Sequence, residues 1–150
     1  MKQNMLVCKE DVIHYIPQRE PIIMVHGLEL HESNASTSCF FVEEGNLFVR
    51  EGKLLPSGLM ENIAQSAAIR SGYAFAQMPK GEGSSKPPVG FIAALKDFEV
   101  HDLPSVGDSL RTTVTEMNVI GNMTVVQGEV FCKGKLVASC EMKVFLSNEG

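Results

Sequence analysis

The sequence predicts an α+β fold in which a curved antiparallel sheet wraps one long helix. Three observations carry this expectation. In the last strand segment Leu136, Ala138, Cys140, Met142, Val144 and Leu146 alternate with Val137, Ser139, Glu141, Lys143 and Phe145, the period of two that marks a half-buried strand. Residues 58–77 form the one long helical segment, and its interior is crowded with Ala64, Ser66, Ala67, Ala68, Ser71, Gly72, Ala74 and Ala76. Such small side chains let another backbone approach closely, so the helix is expected to be enclosed. Three further β-patterned runs, at 89–100, 110–120 and 123–132, stand between the helix and the last strand.

Each element follows in order. Asp11 to Ile16 reads as a short helical turn ended by Pro17, which has no amide to donate into a continuing helix. Pro21 to His26 leads into a strand that runs to about Leu30. The polar Glu32-Ser33-Asn34 turns the chain into a second strand, Ala35 to Val42. Glu43 to Lys53 is irregular, with turn signals at Gly45-Asn46 and Glu51-Gly52. Ser57 is the candidate N-cap of the helix, because its hydroxyl can accept from an orphan first-turn amide. The stretch 79–88 (PKGEGSSKPP) is a loop by its composition. Gly121-Asn122 and Lys133-Gly134 are two-residue hairpin turns.

Length and charge narrow the function. A chain of 150 residues is expected to form one domain, 1–150, with a sizeable core. Its net charge of -5 speaks against a nucleic-acid groove, which needs a basic stripe. No apolar run approaches the roughly 20 residues of a membrane span, and the first ten residues hold no signal-peptide core. Cys8, Cys39, Cys132 and Cys140 show no metal-ligand spacing. They are expected to be reduced thiols in a cytoplasmic protein, with neither metal nor cofactor.

The motifs resemble a known family. Glu61-Asn62-Ile63-Ala64-Gln65 resembles the E-x-x-A-Q signature on the central helix of hot-dog-fold hydroxyacyl-acyl-carrier-protein dehydratases. Residues 16–25 (IPQREPIIMV) look like the family's N-terminal P-H-R-x-P-x-L-x-V segment, and 90–96 (GFIAALK) resembles the strand lining its acyl tunnel. Residues 104–110 (PSVGDSL) match its P-x-x-P-G-D-x-L turn, with Val106 for the second proline. The four matches occur in the family's order. Residues 54–61 (LLPSGLME) look closest to the dehydratase-like proteins of aryl-polyene pathways.

The resemblance implies a hot-dog fold and a lyase acting on 3-hydroxyacyl thioesters in fatty-acid or polyene biosynthesis, carried by acyl carrier protein or CoA. It makes Glu61 the acid at the departing hydroxyl and places Phe91, Ala93 and Ala94 along the acyl chain. One departure matters. The housekeeping enzymes carry a catalytic His in an H-F-P motif a little more than a dozen residues before the Glu, and residues 43–60 contain no histidine. The resemblance therefore implies either a homodimer with a displaced base or a heterodimer with a His-bearing hot-dog paralogue, since the family's site forms across the dimer interface.

The residues themselves leave alternatives. Dehydration needs a base for the α-proton, an acid for the hydroxyl, and donors for an enolate-like oxygen. Amides at Ser57, Gly58 and Leu59 are candidate donors, because a helix N-terminus presents unpaired N–H groups. Gln65 lies one turn after Glu61, and it either orients that carboxylate or packs within the fold. By spacing alone Glu61 is a first-turn acid that complements the helix dipole, worth a few tenths to ~1 kcal/mol. His26 reads as a strand-end residue with a satisfied hydrogen bond, or as a relocated base. His14, His31 and His101 read as exposed. Two other functions remain open: a hot-dog thioester hydrolase in which Glu61 activates water, and a non-catalytic acyl- or carrier-binding subunit.

Overall fold

The computed structural model describes residues 5–78 and 89–147, and the side chains of Val89, Phe91, Leu146 and Ser147 fall outside it. The loop 79–88 expected from the sequence lies outside the described residues. A short 3-10 helix, Lys9–His14, precedes strands β1 (Gly27–His31) and β2 (Ala35–Phe41). A two-residue hairpin follows, β3 (Val49–Arg50) with β4 (Lys53–Leu54), then helix α1 (Pro56–Ala76). Strands β5 (Val89–Val100), β6 (Ser109–Ile120), β7 (Met123–Cys132) and β8 (Lys135–Ser147) complete the chain. The large sheet is antiparallel in the order β1-β2-β6-β7-β8-β5, with β5 at one edge.

The sheet wraps α1 because one face of each long strand is apolar or small. In β7 the buried residues are Val126, Gly128, Val130 and Cys132, and in β8 Ala138, Cys140 and Met142 are fully buried. Leu59 and Ile63 of α1 meet this face within one core cluster. Gly128 sets the spacing: a Cβ there would stand 2.3 Å from Cγ2 of Ile63, so any side chain would push the helix off the sheet. A second cluster packs Ile69 of α1 against Val7, Val12, Ile16, Val25 and Leu28. The hairpin turn at Lys133-Gly134 has both residues at positive φ, as expected for a tight two-residue loop.

Two expectations need correction. Ser57 is not the N-cap: the helix begins two residues earlier, with Leu55 at the cap, Pro56 at the first position and no side-chain cap bond. Proline serves there because its fixed φ suits the first turn and its missing N–H would be orphaned anyway. His31 is not exposed but half-buried, with its Nδ1 2.7 Å from Oγ of Ser36. Burial and the nearby Arg70 guanidinium lower its pKa. Arg70 itself is buried and ion-paired to Glu116 at 2.7 Å, and it donates to the carbonyls of Glu32 and Ser33. That network pins the β1–β2 turn to the helix. Cys132 and Cys140 are buried free thiols. No described helix is long and apolar enough to cross a membrane.

Candidate active site

Helix α1 carries its polar residues where the N-terminal segment crosses it. Gln65, fully buried, accepts from the Met24 amide at 2.6 Å through Oε1. Its Nε2 donates to the Ile22 carbonyl at 2.8 Å and to Oε2 of Glu61 at 2.8 Å. Because an N–H must face the oxygen and two acceptors must face the NH2, the amide has one possible orientation. Asn62 repeats the device one residue from Glu61, donating to the Met24 carbonyl at 2.7 Å and accepting from Oγ1 of Thr112. The segment Ile22–Met24 is thus tied to the helix on both its donor and acceptor sides. Glu61 is half-buried, with one carboxylate oxygen held by Gln65.

Beyond Glu61 lies a cavity of about 550 Å³ between α1, residues 13–19, and the starts of β5 and the end of β8. Its helical floor is Ala64, Ala67, Ala68, Ser71, Gly72 and Phe75. Ile92 and Val144 form the opposite wall. Ala64, Ala68, Ser71 and Phe75 recur at helical spacing, and Glu61 continues that helix face toward the N-terminus without itself lining the cavity. Gly72 lets the outer segment close in: a Cβ there would stand 2.0 Å from the Tyr15 carbonyl oxygen.

The other expected residues separate. Gly58 and Leu59 do not offer free amides, since both donate to the Leu55 carbonyl, at 2.9 and 3.2 Å. The tight first turn that Pro56 imposes brings that carbonyl over them. Gly58 is instead a packing position, where a Cβ would meet Leu54 and Phe48 at 2.7 Å, and Leu59 is core. Ser57 is exposed, and its amide has no backbone acceptor among the described residues. On β5 the cavity is lined by Gly90 and Ile92. Ala93 and Ala94 are not among the residues lining it: Ala93 alternates to the other face from Ile92, and the register shift sets Ala94 opposite Lys143 where Ile92 stands opposite Val144. The Phe91 backbone pairs with Phe145, and its side chain lies outside the described set.

None of the four histidines stands beside Glu61. His26 stacks on Phe40 at 4.4 Å and lines a separate cavity of about 160 Å³ with Glu43 and Asn46. Its Nδ1 accepts from the Phe41 amide at 3.0 Å, so the remaining proton of the neutral ring sits on Nε2 and no free lone pair is left. Burial, and then the Lys9 ammonium, push its pKa down to about 4. His14 lines the large cavity, a position the sequence reading missed. Yet the Tyr15 carbonyl beside it abuts Gly72, eleven residues beyond Glu61, or about 16 Å along the helix axis. His31 belongs to the Arg70 network, and His101 is exposed past the end of β5.

The profile of ApeP-like proteins, described as ApeP dehydratase, matches residues 10–149. The chain belongs to the ApeP-like dehydratase family. ApeP-like chains share the hot-dog fold seen here, and solved structures agree. The dehydratase heterocomplex ApeI:P from Xenorhabdus doucetiae is similar over 92% of this chain and 91% of its own, with TM-score 0.78 and 18% identity. A point mutant of the phenylacetic acid degradation protein PaaI from Thermus thermophilus aligns over 79% of this chain and 90% of its own, with TM-score 0.60 and 18% identity. The E. coli PaaI protein from the phenylacetic acid degradation operon aligns over 79% and 80%, with TM-score 0.61 and 13% identity. No curated protein matches the sequence.

Proposed function

We propose that this ApeP-like chain is one half of a composite dehydratase for 3-hydroxyacyl thioesters. The observation that carries the reading is the placement of Glu61: held by Gln65, three residues before Ala64 where the helical lining of the large cavity begins, and bonded to none of the chain's four histidines. Protonated Glu61 gives its proton to the departing 3-hydroxyl while a base removes the α-proton, so water leaves and an α,β-unsaturated thioester remains. Each of those transfers typically contributes ~10²–10⁴-fold, and they occur at different atoms, so one carboxylate does not serve both.

The base then comes from a His on a partner hot-dog chain. Two features support a heteromer. The similar X. doucetiae structure is of a heterocomplex. Edge strand β5 also leaves Ile92, which lines the cavity, and Leu95 exposed, 45% and 40%, an edge that a second sheet can cover. The carrier in this reading is acyl carrier protein, and the compartment is the cytoplasm.

The experiment is Glu61→Gln, which keeps the size and the bond from Gln65 but removes the transferable proton. Turnover of a 3-hydroxyacyl thioester should drop by at least ~10²-fold in whichever pairing is active, with the melting temperature little changed. Undiminished dehydration would remove Glu61 from the chemistry. Hydrolysis of the thioester in place of dehydration would favour a thioesterase.

A further inference from the structure

His31 stands where β1, β2, β6 and α1 meet, and the bonds around it fix its protonation state. Oγ of Ser36, on β2, accepts from Nη1 of Arg70 at 2.7 Å and lies 2.7 Å from Nδ1 of His31, on β1. A hydroxyl that accepts from a guanidinium still has its own proton to give. Ser36 therefore donates to Nδ1, and the ring is neutral with its proton on Nε2. Every N–H of Arg70 is engaged: Glu116 of β6 accepts from Nε and Nη2, the Ser33 carbonyl from Nη2, and the Glu32 carbonyl and Ser36 from Nη1. The guanidinium is 6% exposed, and Nη1 stands 3.4 Å from Nδ1 of the ring. The titratable and charged groups around His31 are thus Arg70 and Tyr73 of α1, Glu116 of β6 and, in the adjoining turn, Glu32.

The same ring is linked to the large cavity. It packs edge-on against Tyr73 with centroids 5.1 Å apart, and Tyr73 packs against Tyr15 at 6.0 Å. Tyr15 lines the cavity with Ile13 and Ile16, and its carbonyl closes on Gly72. A line of three rings therefore joins the Arg70 network to the cavity roof. We propose that His31 is a proton-operated latch: the neutral ring holds the β1–β2 turn and the cavity roof closed, and the imidazolium releases both. Protonating Nδ1 forces Ser36 to turn its own proton away. It also sets a second cation 3.4 Å from a buried guanidinium whose carboxylate partner, Glu116, is already engaged. Burial, and then the Arg70 charge, hold the His31 pKa below its ordinary 6.5. The closed latch thus binds a proton less tightly than the open one. Its closure is complete above pH 6.5 and weakens as pH falls from there toward the folded ring's own pKa.

Hydrogen exchange of the full-length chain at pH 7.5 and 5.5, corrected for the intrinsic pH dependence of exchange, reads the latch. The Glu32 amide, bonded to the Ala35 carbonyl, and the Glu116 amide, bonded to the Asn34 carbonyl, report on the turn. The Tyr15 amide, bonded to the Val12 carbonyl, reports on the roof. A His26→Gln background removes the other imidazole whose pKa burial depresses, and amides of β7 serve as the reference for global opening. An open latch with the ordinary pKa allows at most about a tenfold rise in opening at pH 5.5. The expected result is a rise of about threefold or more at Glu32, Glu116 and Tyr15. His31→Asn, whose Oδ1 accepts from Ser36 but takes up no proton, should abolish the rise. Tyr73→Leu should abolish it at Tyr15 alone. Exchange that is unchanged by pH, or that rises at the turn but not at Tyr15, overturns the proposal. A rise that survives in His31→Asn, or at Tyr15 in Tyr73→Leu, overturns it too. The pH comparison with His31 intact decides by itself should either variant fail to fold.

Discussion

Replacing Gln65 with Leu keeps most of the side-chain volume and deletes three hydrogen bonds at once. The Met24 amide loses its acceptor, while the Ile22 carbonyl and the Glu61 carboxylate lose their donor. The Met24 amide is buried and has no solvent to turn to, so its orphaning costs about 1–3 kcal/mol. Ile22 is exposed, and water can replace part of its bond, leaving a loss nearer ~0.5–1 kcal/mol. Asn62 still ties the Met24 carbonyl to the helix, so the segment stays docked. The net expectation is a loss of about 2–4 kcal/mol, or roughly 5–15 °C in melting temperature for a domain of this size. Urea unfolding measures it directly. Activity should fall further than stability explains, because the freed carboxylate takes up other rotamers. Gln65→Glu is the companion variant: it keeps the acceptor for Met24 but sets a second carboxylate against Glu61, and should be at least as damaging at neutral pH. A Gln65→Leu protein within 0.5 kcal/mol of wild type and fully active would refute the idea that Gln65 holds both the segment and the acid.

Three other expectations follow from single sites. Gly72→Ala should destabilise by about 1–3 kcal/mol, since its Cβ meets backbone that cannot swing away, and thermal melting would show it. His26 titrates near 4 in the fold and near 6.5 when unfolded, so the unfolded chain takes up the proton first as pH falls. Its contribution is present above pH 6.5 and is lost between about 6.5 and 4. Linkage caps it at ~3 kcal/mol, and screening around this partly exposed ring lowers that to about 1 kcal/mol. His26→Gln should flatten the unfolding free energy over that window. Finally, Cys8 is exposed while burial pushes Cys39 and Cys140 up to about 11, so native protein at pH 8 should show one fast-reacting thiol and denatured protein four.

The fold was legible because its signals are local. The alternation in β8 and the turn at Lys133-Gly134 each depend on neighbours in sequence, and both elements formed where expected. The start of α1 was misread because Ser57 suits a cap by propensity, yet Pro56 one residue earlier fixes the first turn more firmly. Pairing of Gln65 with Glu61 could be read from helical spacing. The attachment of Gln65 to Ile22 and Met24 could not, since it joins residues about forty positions apart. The bulge after Ile92 is likewise invisible in the pattern, and it takes Ala94 out of the alternation by which Gly90 and Ile92 line the cavity. His14 is exposed as its short helical context suggested, but its place on the cavity rim depends on the docking of Tyr15 on Gly72, which joins residues far apart in the chain.

The composite site is tested most directly by measuring dehydration of a 3-hydroxyacyl thioester with this chain alone, with a His-bearing hot-dog paralogue alone, and with the two combined. The account predicts little or no turnover by this chain alone and turnover by the mixture that vanishes when Glu61→Gln is used in place of wild type. Robust dehydration by this chain alone would contradict it.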